Sequence, residues 1–235
     1  MSYLILGSGG LGGALAHELA SRGEEWLLAG RQLPKGLDPA CYFPLQEVDP
    51  LSFDALFTLY DTATLPTVVI NTIGLLHDLS HMPERRVEEV TPQWLGESLQ
   101  ANAWPHLALG ASLSRLMTFE SRLWLCTLSD LAGSLDEAHR EPVRRYSYRM
   151  SKAALNMGSR ILAAEWAERF PGAGVITVHP GLMDTPMQQP FRQEIDPALL
   201  QDPALVAPLL LDLLASLNQA HSGRFVDLRG QPLPW

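Results

Sequence analysis

Short apolar runs alternate along the chain with longer stretches whose apolar residues recur at helical spacing. Tyr3 to Leu6 is the first run and ends in a cluster of glycines; Leu11, Leu15 and Leu19 then mark one face of a helix over Leu11 to Ser21. Trp26 to Ala29 reads as a second strand, and a weaker third closes at Val48. Thr67 to Ile73 is rich in β-branched residues, as a strand buried on both faces requires. Leu123 to Leu128, Gly174 to Val178 and Arg224 to Leu228 complete the strand set. Between them, Thr91-Pro92 is an N-cap followed by a proline suited to a first helical turn. The helix it opens is expected to run past Asn102 to about Met117, with Pro105 freeing the Ala101 carbonyl and kinking it. Tyr148 to Arg169 is a long amphipathic stretch, and Leu205 to Leu217, interrupted by Pro208 and Asp212, reads as a core helix. Strands separated by crossover helices predict an α/β domain with a doubly wound parallel sheet.

Composition narrows the function classes. The 235 residues are 46% hydrophobic and 18% charged with a net charge of −9, which disfavours a grip on nucleic acid or on anionic membranes. No run reaches the roughly 18 apolar residues of a membrane span. There is no basic residue before Arg22 to mark a secretory signal, and the two cysteines, Cys41 and Cys126, stand far apart. A single domain over 1–235, cytoplasmic and acting on small molecules, is the expectation.

The first strand runs directly into Gly7-Ser8-Gly9-Gly10-Leu11-Gly12-Gly13, in which Gly7, Gly9 and Gly12 satisfy G-x-G-x-x-G. One glycine makes the tight turn, a second lets backbone approach a pyrophosphate, and a third lets the helix pack on the strand. The helix N-terminus then offers free amides and a partial positive charge to phosphates. At this place in an α/β chain the pattern indicates a Rossmann-type dinucleotide site. The second strand ends Leu28-Ala29-Gly30-Arg31, without the acid that would hold the ribose hydroxyls of NAD. Arg31, helped by Lys35, would instead suit a 2′-phosphate, so NADP is favoured over NAD.

Tyr148-Arg149-Met150-Ser151-Lys152 places a phenol and an ammonium on one helix face. A lysine close to a tyrosine favours the phenolate, and a phenol tuned in this way can exchange a proton with a carbonyl or alcohol oxygen.

These residues arrive in an order that resembles the short-chain dehydrogenase/reductase family over nearly the whole chain. The glycine turn is followed by Asn71-Thr72-Ile73-Gly74, Asn102, Tyr148 with Lys152, and His179-Pro180-Gly181 with Thr185. Tyr146 to Met157 and Ser222-Gly223-Arg224-Phe225-Val226-Asp227, closing on Trp235, resemble carbonyl reductases of the C-factor and sniffer type. The resemblance implies that Tyr148 is the general acid in reduction and that Lys152 lowers its pKa and binds the nicotinamide ribose. It implies that Asn102 holds a relay water, while Asn71, Ile73 and Gly74 line the ribose and adenine side of the cofactor. Pro180, Gly181 and Leu182 would border the nicotinamide and Thr185 reach its carboxamide. Asp49 falls where the family contacts adenine, and Asp49-Pro50 is equally a helix N-cap pair. Gly7, Ser8, Gly9, Gly10, Leu11 and Gly12 would hold the phosphates. Dimers and tetramers are common in the family, which makes a homo-oligomer a fair expectation.

Two departures stand out. The glycine turn is one residue shorter than usual between its first two glycines. The position three residues before Gly133, where the family has its catalytic serine, holds Asp130. Ser129 is the first alternative for orienting the substrate oxygen and Ser134 the second. His77 and His81 lack a carboxylate or thiol partner at metal spacing, and no metal is expected. His179 reads as structural, the charged run Glu84 to Glu89 as a solvated face, and Trp235 as a docked end. A substrate loop at about 182–200, with Met183, Met187 and Phe191, suggests an apolar, adaptable wall. The reading is an NADPH-dependent oxidoreductase of a small ketone, aldehyde or alcohol. The rival, motivated by Asp130, is a redox-inactive dinucleotide-binding regulatory protein.

Overall fold

The computed structural model describes residues 1–137 and 144–235. Seven strands form one sheet: β1 (Ser2–Leu6), β2 (Glu25–Gly30), β3 (Tyr42–Pro44), β4 (Val68–Asn71), β5 (Trp124–Leu128), β6 (Gly174–His179) and β7 (Arg224–Asp227). Their order is β3-β2-β1-β4-β5-β6-β7, and every neighbouring pair is parallel. The doubly wound sheet read from the sequence is therefore present. The connection reverses direction across the sheet between β1 and β4, and such a switch point opens a crevice beyond the carboxyl ends of the strands.

Among the described residues, six α-helices cover the two faces: α1 (Gly10–Arg22), α2 (Pro50–Phe57), α3 (Pro92–Asn102), α4 (Trp104–Leu116), α5 (Tyr146–Arg169) and α6 (Pro203–Ala215). Alternation along the strands sorts the core into two layers. Tyr3 and Ile5 of β1 face Leu11, Leu15 and Leu19 of α1 and Val206, Leu210 and Leu214 of α6. Leu4 and Leu6 face Phe53 of α2, Leu109 and Leu113 of α4, and Trp166 of α5. Each of these strand side chains is at least 95% buried.

Two expected elements end elsewhere. The third strand stops at Pro44 rather than Val48, because β2 ends at Gly30 and, after Leu45 N–H donates to Gly30 O (2.9 Å), no sheet partner remains. The single helix expected from Thr91 to Met117 is two helices. Pro105 has no N–H to give Ala101 and its ring excludes that carbonyl, so α3 closes at Asn102 and α4 restarts with the proline in its first turn. The break leaves Asn102 at a helix end.

The charged run beginning at Glu84 also differs from expectation. Glu84 is 3% exposed, and its carboxylate accepts the backbone N–H (3.3 Å) and the hydroxyl of Ser147 at the start of α5. Its own carbonyl accepts the N–H of Arg145, which has left-handed backbone (φ 68°). Glu84 thus supplies the cap that α5 lacks locally.

Candidate active site

A cavity of about 880 Å³ lies along the carboxyl ends of the strands. At one end it is lined by Gly7, Ser8, Gly9, Gly10, Leu11, Gly12 and Arg31; Asp49, Ile73 and Gly74 follow, and then Pro180, Gly181, Leu182 and Thr185. Tyr148, Lys152, Ser129, Asp130 and His179 close the other end. Residues distant in the sequence are thereby gathered on one surface.

The glycine end is a backbone cradle. Gly7 has φ +97°, a conformation L side chains rarely adopt, and its N–H donates to Ala29 O (2.8 Å). A Cβ on Gly12 would stand 1.8 Å from Gly7 O, so the start of α1 can pack against the end of β1 only without one. A Cβ on Gly9, by contrast, would meet nothing within 4 Å. No side chain caps α1, which leaves its first amides facing the cavity. A shallow, uncapped helix N-terminus backed by glycines fits the phosphates of a dinucleotide. Asp49 lies on the cavity and caps α2, accepting Ser52 N–H at 2.7 Å. Lys35 and Asn71 do not line the cavity. Asn71 is 1% exposed behind it, where Oδ1 accepts Ile73 N–H (3.1 Å) and fixes the turn after β4; its Nδ2 has no partner among the described residues.

The other end is built from side chains. Tyr148 is 6% exposed, and its hydroxyl donates to Asp130 Oδ2 at 2.9 Å. Burial first, then the Asp130 charge and hydrogen bond, push the phenol well above its usual value. This corrects the expectation that Lys152 lowers it: the ammonium Nζ stands 5.8 Å from the ring centre and donates instead to Leu128 O (3.1 Å). Burial brings the Lys152 ammonium down to about 8, against the pull of Asp130. Burial alone would raise the Asp130 carboxyl, but His179, the Ala132 amide, Tyr148 and Lys152 together hold it below the usual carboxylate range. His179 Nδ1 is 3.8 Å from Asp130 Oδ1 and accepts Leu131 N–H at 3.3 Å. It belongs to this cluster rather than only to the turn that follows it.

Neither candidate serine faces Tyr148. Ser129 is on the cavity, but its hydroxyl donates to Asn156 Oδ1 of α5 at 2.7 Å; Ser134 is 2% exposed and accepts Glu137 N–H at 3.3 Å. The chain after β5 turns so that the residue beyond Ser129 points at the phenol. Asn102 is fully buried just behind the wall: Oδ1 accepts Leu75 N–H (2.7 Å), while Nδ2 donates to Leu75 O (2.8 Å) and Ser151 Oγ (2.9 Å). It ties the turn after β4 to the helix that carries Tyr148.

The loop after β6 forms the remaining wall. Gly181 has φ +81°, and the strand-like pairing of Met183 with Gln201 closes the base of the loop. Met183 and Met187 line the cavity; Phe191 does not, packing behind it with Leu76 and Tyr148. His77 reaches this loop through Nε2 to Met187 O (3.1 Å). His81 does have carboxylate neighbours, contrary to the expectation from spacing. Asp78 and Glu97 offer ligand atoms within 4.8 Å of one another with it, on a surface where His81 stacks on Trp94.

No protein-family model matches the chain. C-signal of Myxococcus xanthus is 40% identical over 90 residues, which is 38% of this chain and 49% of that protein, so the match spans about half of the curated relative. Among solved structures, carbonyl reductase Sniffer of Drosophila melanogaster superimposes with TM-score 0.81 at 21% identity, covering 100% of this chain and 99% of that one. NADPH-bound carbonyl reductase from chicken fatty liver gives 0.79 at 21%, over 100% and 98%. A short-chain dehydrogenase/reductase from Burkholderia multivorans with bound NADP gives 0.75 at 22%, over 100% and 99%. The chain has the short-chain dehydrogenase/reductase fold.

Within the short-chain dehydrogenase/reductase fold, sequence reasoning did not assign the parts that three residues play here: Asp130 and His179 on the cavity, and Glu84 outside it at the start of α5. Asp130 was signalled by its register before Gly133, as a mismatch whose consequence was open. His179 was visible only as the residue before Pro180. Glu84 carried no signal, because a buried acid inside a charged run looks like any surface acid.

Proposed function

We propose that the protein is an NADPH-dependent oxidoreductase that moves hydride between a nicotinamide and a small carbonyl compound or its alcohol. The observation that carries this is one continuous cavity joining an uncapped glycine-backed helix start to a buried tyrosine–lysine pair. Arg31 on the cavity, with no acid at the end of β2, supports the 2′-phosphate of NADP. NADP and NADPH in two of the structural neighbours support the same class of cofactor.

The roles follow from chemistry. The amides of Gly9, Gly10 and Leu11 would face phosphate oxygens, and Ser8, Gly7 and Gly12 would shape that cradle. Asp49, Ile73 and Gly74 would border the adenine and ribose, with Asn71 holding their turn. Lys152 would donate to the nicotinamide ribose, and Pro180, Gly181, Leu182 and Thr185 would fix the nicotinamide ring. When bound, the nicotinamide supplies or accepts the hydride. Tyr148, kept protonated by its burial and then by Asp130, suits a proton donor to an oxygen that gains charge during reduction; it is less suited to act as a base for oxidation. Asn102 and Ser129 would hold α5 and the end of β5 in register around it.

A paired fluorescence titration with NADPH and NADH tests the reading. NADPH should bind more tightly, and Arg31→Gln should remove about tenfold of that preference, the scale of one charge-assisted hydrogen bond. Binding of neither nucleotide would overturn the proposal.

A further inference from the structure

The group that meets Tyr148 in this protein is a carboxylate, and that restricts what can sit between them. Asp130 keeps 22% of its side chain open, and it borders the same cavity as Tyr148. Its Oδ1 accepts Ala132 N–H (2.9 Å) and its Oδ2 accepts the Tyr148 hydroxyl (2.9 Å). A ketone oxygen is only an acceptor. Brought to Tyr148, it would compete with Asp130 for the one available proton while resting beside a negative charge. Ser129 offers no second donor, since its hydroxyl is given to Asn156. A protonated nitrogen has the complementary inventory: it brings donors and positive charge, and Oδ2 keeps lone-pair capacity beyond the Tyr148 bond.

We propose that, beyond the carbonyl compounds of the reading above, this site takes and prefers C=N substrates: a small, largely apolar iminium whose N–H would donate to Asp130 and whose carbon would face the nicotinamide. The proposal rests on the nicotinamide reading above and changes the atom at the reacting carbon. With the reduced nicotinamide dinucleotide as hydride donor, one C–H bond forms, the C=N π pair becomes the lone pair of a neutral amine, and the nicotinamide is oxidised. No proton need leave Tyr148, which instead holds the carboxylate in place. Lys152, the other buried cation, is turned to Leu128 O and gives up its charge more readily than an exposed lysine. Met183 and Met187 leave apolar room for the rest of the molecule. Asp130 also caps the 3-10 turn Leu131–Gly133 through Oδ1, but a cap needs no charge and asparagine serves equally.

That difference supplies the experiment. Calorimetry on the NADPH-bound protein compares cyclohexylammonium with cyclohexanol, two probes of nearly equal shape, in the wild type and in Asp130→Asn. The expected result is at least about tenfold tighter binding of the ammonium by the wild type, and a ratio near one in Asp130→Asn at an unchanged melting temperature. The wild type should also reduce 2-methyl-1-pyrroline faster than cyclopentanone. A wild-type ratio at or below one, or a ratio that Asp130→Asn leaves intact, overturns the proposal. Asp130→Ser, which also caps, replaces the asparagine variant if that one does not fold. Nicotinamide fluorescence before any amine is added reports cofactor binding. Its failure would sink the oxidoreductase reading and this inference with it, whereas cofactor binding without ammonium preference sinks this inference alone.

Discussion

The two ends of the cavity are made by different means. The glycine end is backbone: a left-handed turn at Gly7, an uncapped helix, and a contact between Gly12 and Gly7 that admits no side chain. The tyrosine end is side chains from β5, α5 and the loops after β4 and β6, held by buried and half-buried hydrogen bonds. Backbone geometry leaves little to substitute, so changes there should be all or nothing. A side-chain cluster can lose members one at a time, with graded effects on specificity and rate.

Gly12→Ala should be the most damaging substitution, because the added Cβ would lie 1.8 Å from a backbone oxygen that cannot step aside. Displacing α1 from β1 costs about 3 kcal/mol, the upper end of the usual scale of core overpacking, and thermal melting should show it together with loss of NADPH binding. Gly9→Ala is the contrast: with nothing within 4 Å, it should melt as the wild type and weaken only the nucleotide. Equal melting of the two variants would show that the cradle is not rigid.

At the other end, Tyr148→Phe should leave NADPH affinity unchanged and reduce turnover of a ketone about 10²–10⁴-fold, the usual worth of a positioned proton donor. The same variant should cost an iminium substrate far less, since hydride addition there requires no proton. Comparable losses for both substrates would show that Tyr148 acts on the nitrogen directly. Unchanged ketone turnover would return the redox-inactive binder to the front.

How much of each end could be read from the sequence follows from the same difference. Glycine spacing after a first strand encodes a backbone path, so the glycine turn, the place of Arg31 at the end of β2 and the parallel sheet were legible in the sequence, whereas the strand order was not. The spacing of Tyr148 and Lys152 likewise encodes one helix face. What spacing cannot encode is which neighbour a buried side chain chooses. Ser129 and Asp130 are adjacent, and the turn after β5 decides that the serine meets Asn156 and the acid meets Tyr148. Asn102 was found as a position, yet its full set of partners depends on Pro105 splitting one expected helix into two.

His106 sharpens the comparison from beneath the tyrosine end. It is fully buried on α4, with Nδ1 at 2.8 Å from Thr127 Oγ1 of β5 and Nε2 at 3.1 Å from Ser159 Oγ of α5. Burial lowers its pKa to about 4 from the usual 6.5. The folded protein therefore holds the neutral ring, while the unfolded chain binds a proton below about 6.5. The stabilisation is complete above pH 6.5 and is lost as pH falls toward 4, by roughly 3 kcal/mol. Urea unfolding at pH 7 and pH 4 should show that loss in the wild type. His106→Gln, which does not titrate, should lose less over the same range. A pH dependence identical in both would mean that the ring is protonated in the fold.

The smallest effect expected is also the most local. Glu84 sits outside the cavity and touches no group assigned to chemistry, yet its carboxylate takes the amide and hydroxyl of Ser147, one residue before Tyr148. Glu84→Gln keeps the shape and one acceptor but loses the charge that faces the helix N-terminus, which is worth about 1 kcal/mol. A drop in melting temperature of a few degrees is expected for a domain of this size. Because the first turn of α5 sets where the phenol points, the variant should also lower turnover several-fold without weakening NADPH, whose contacts lie with the glycine turn. If Glu84→Gln weakened NADPH as much as it slowed turnover, the two ends would be one cooperative unit, and the contrast between a rigid cradle and an adjustable cluster would fail.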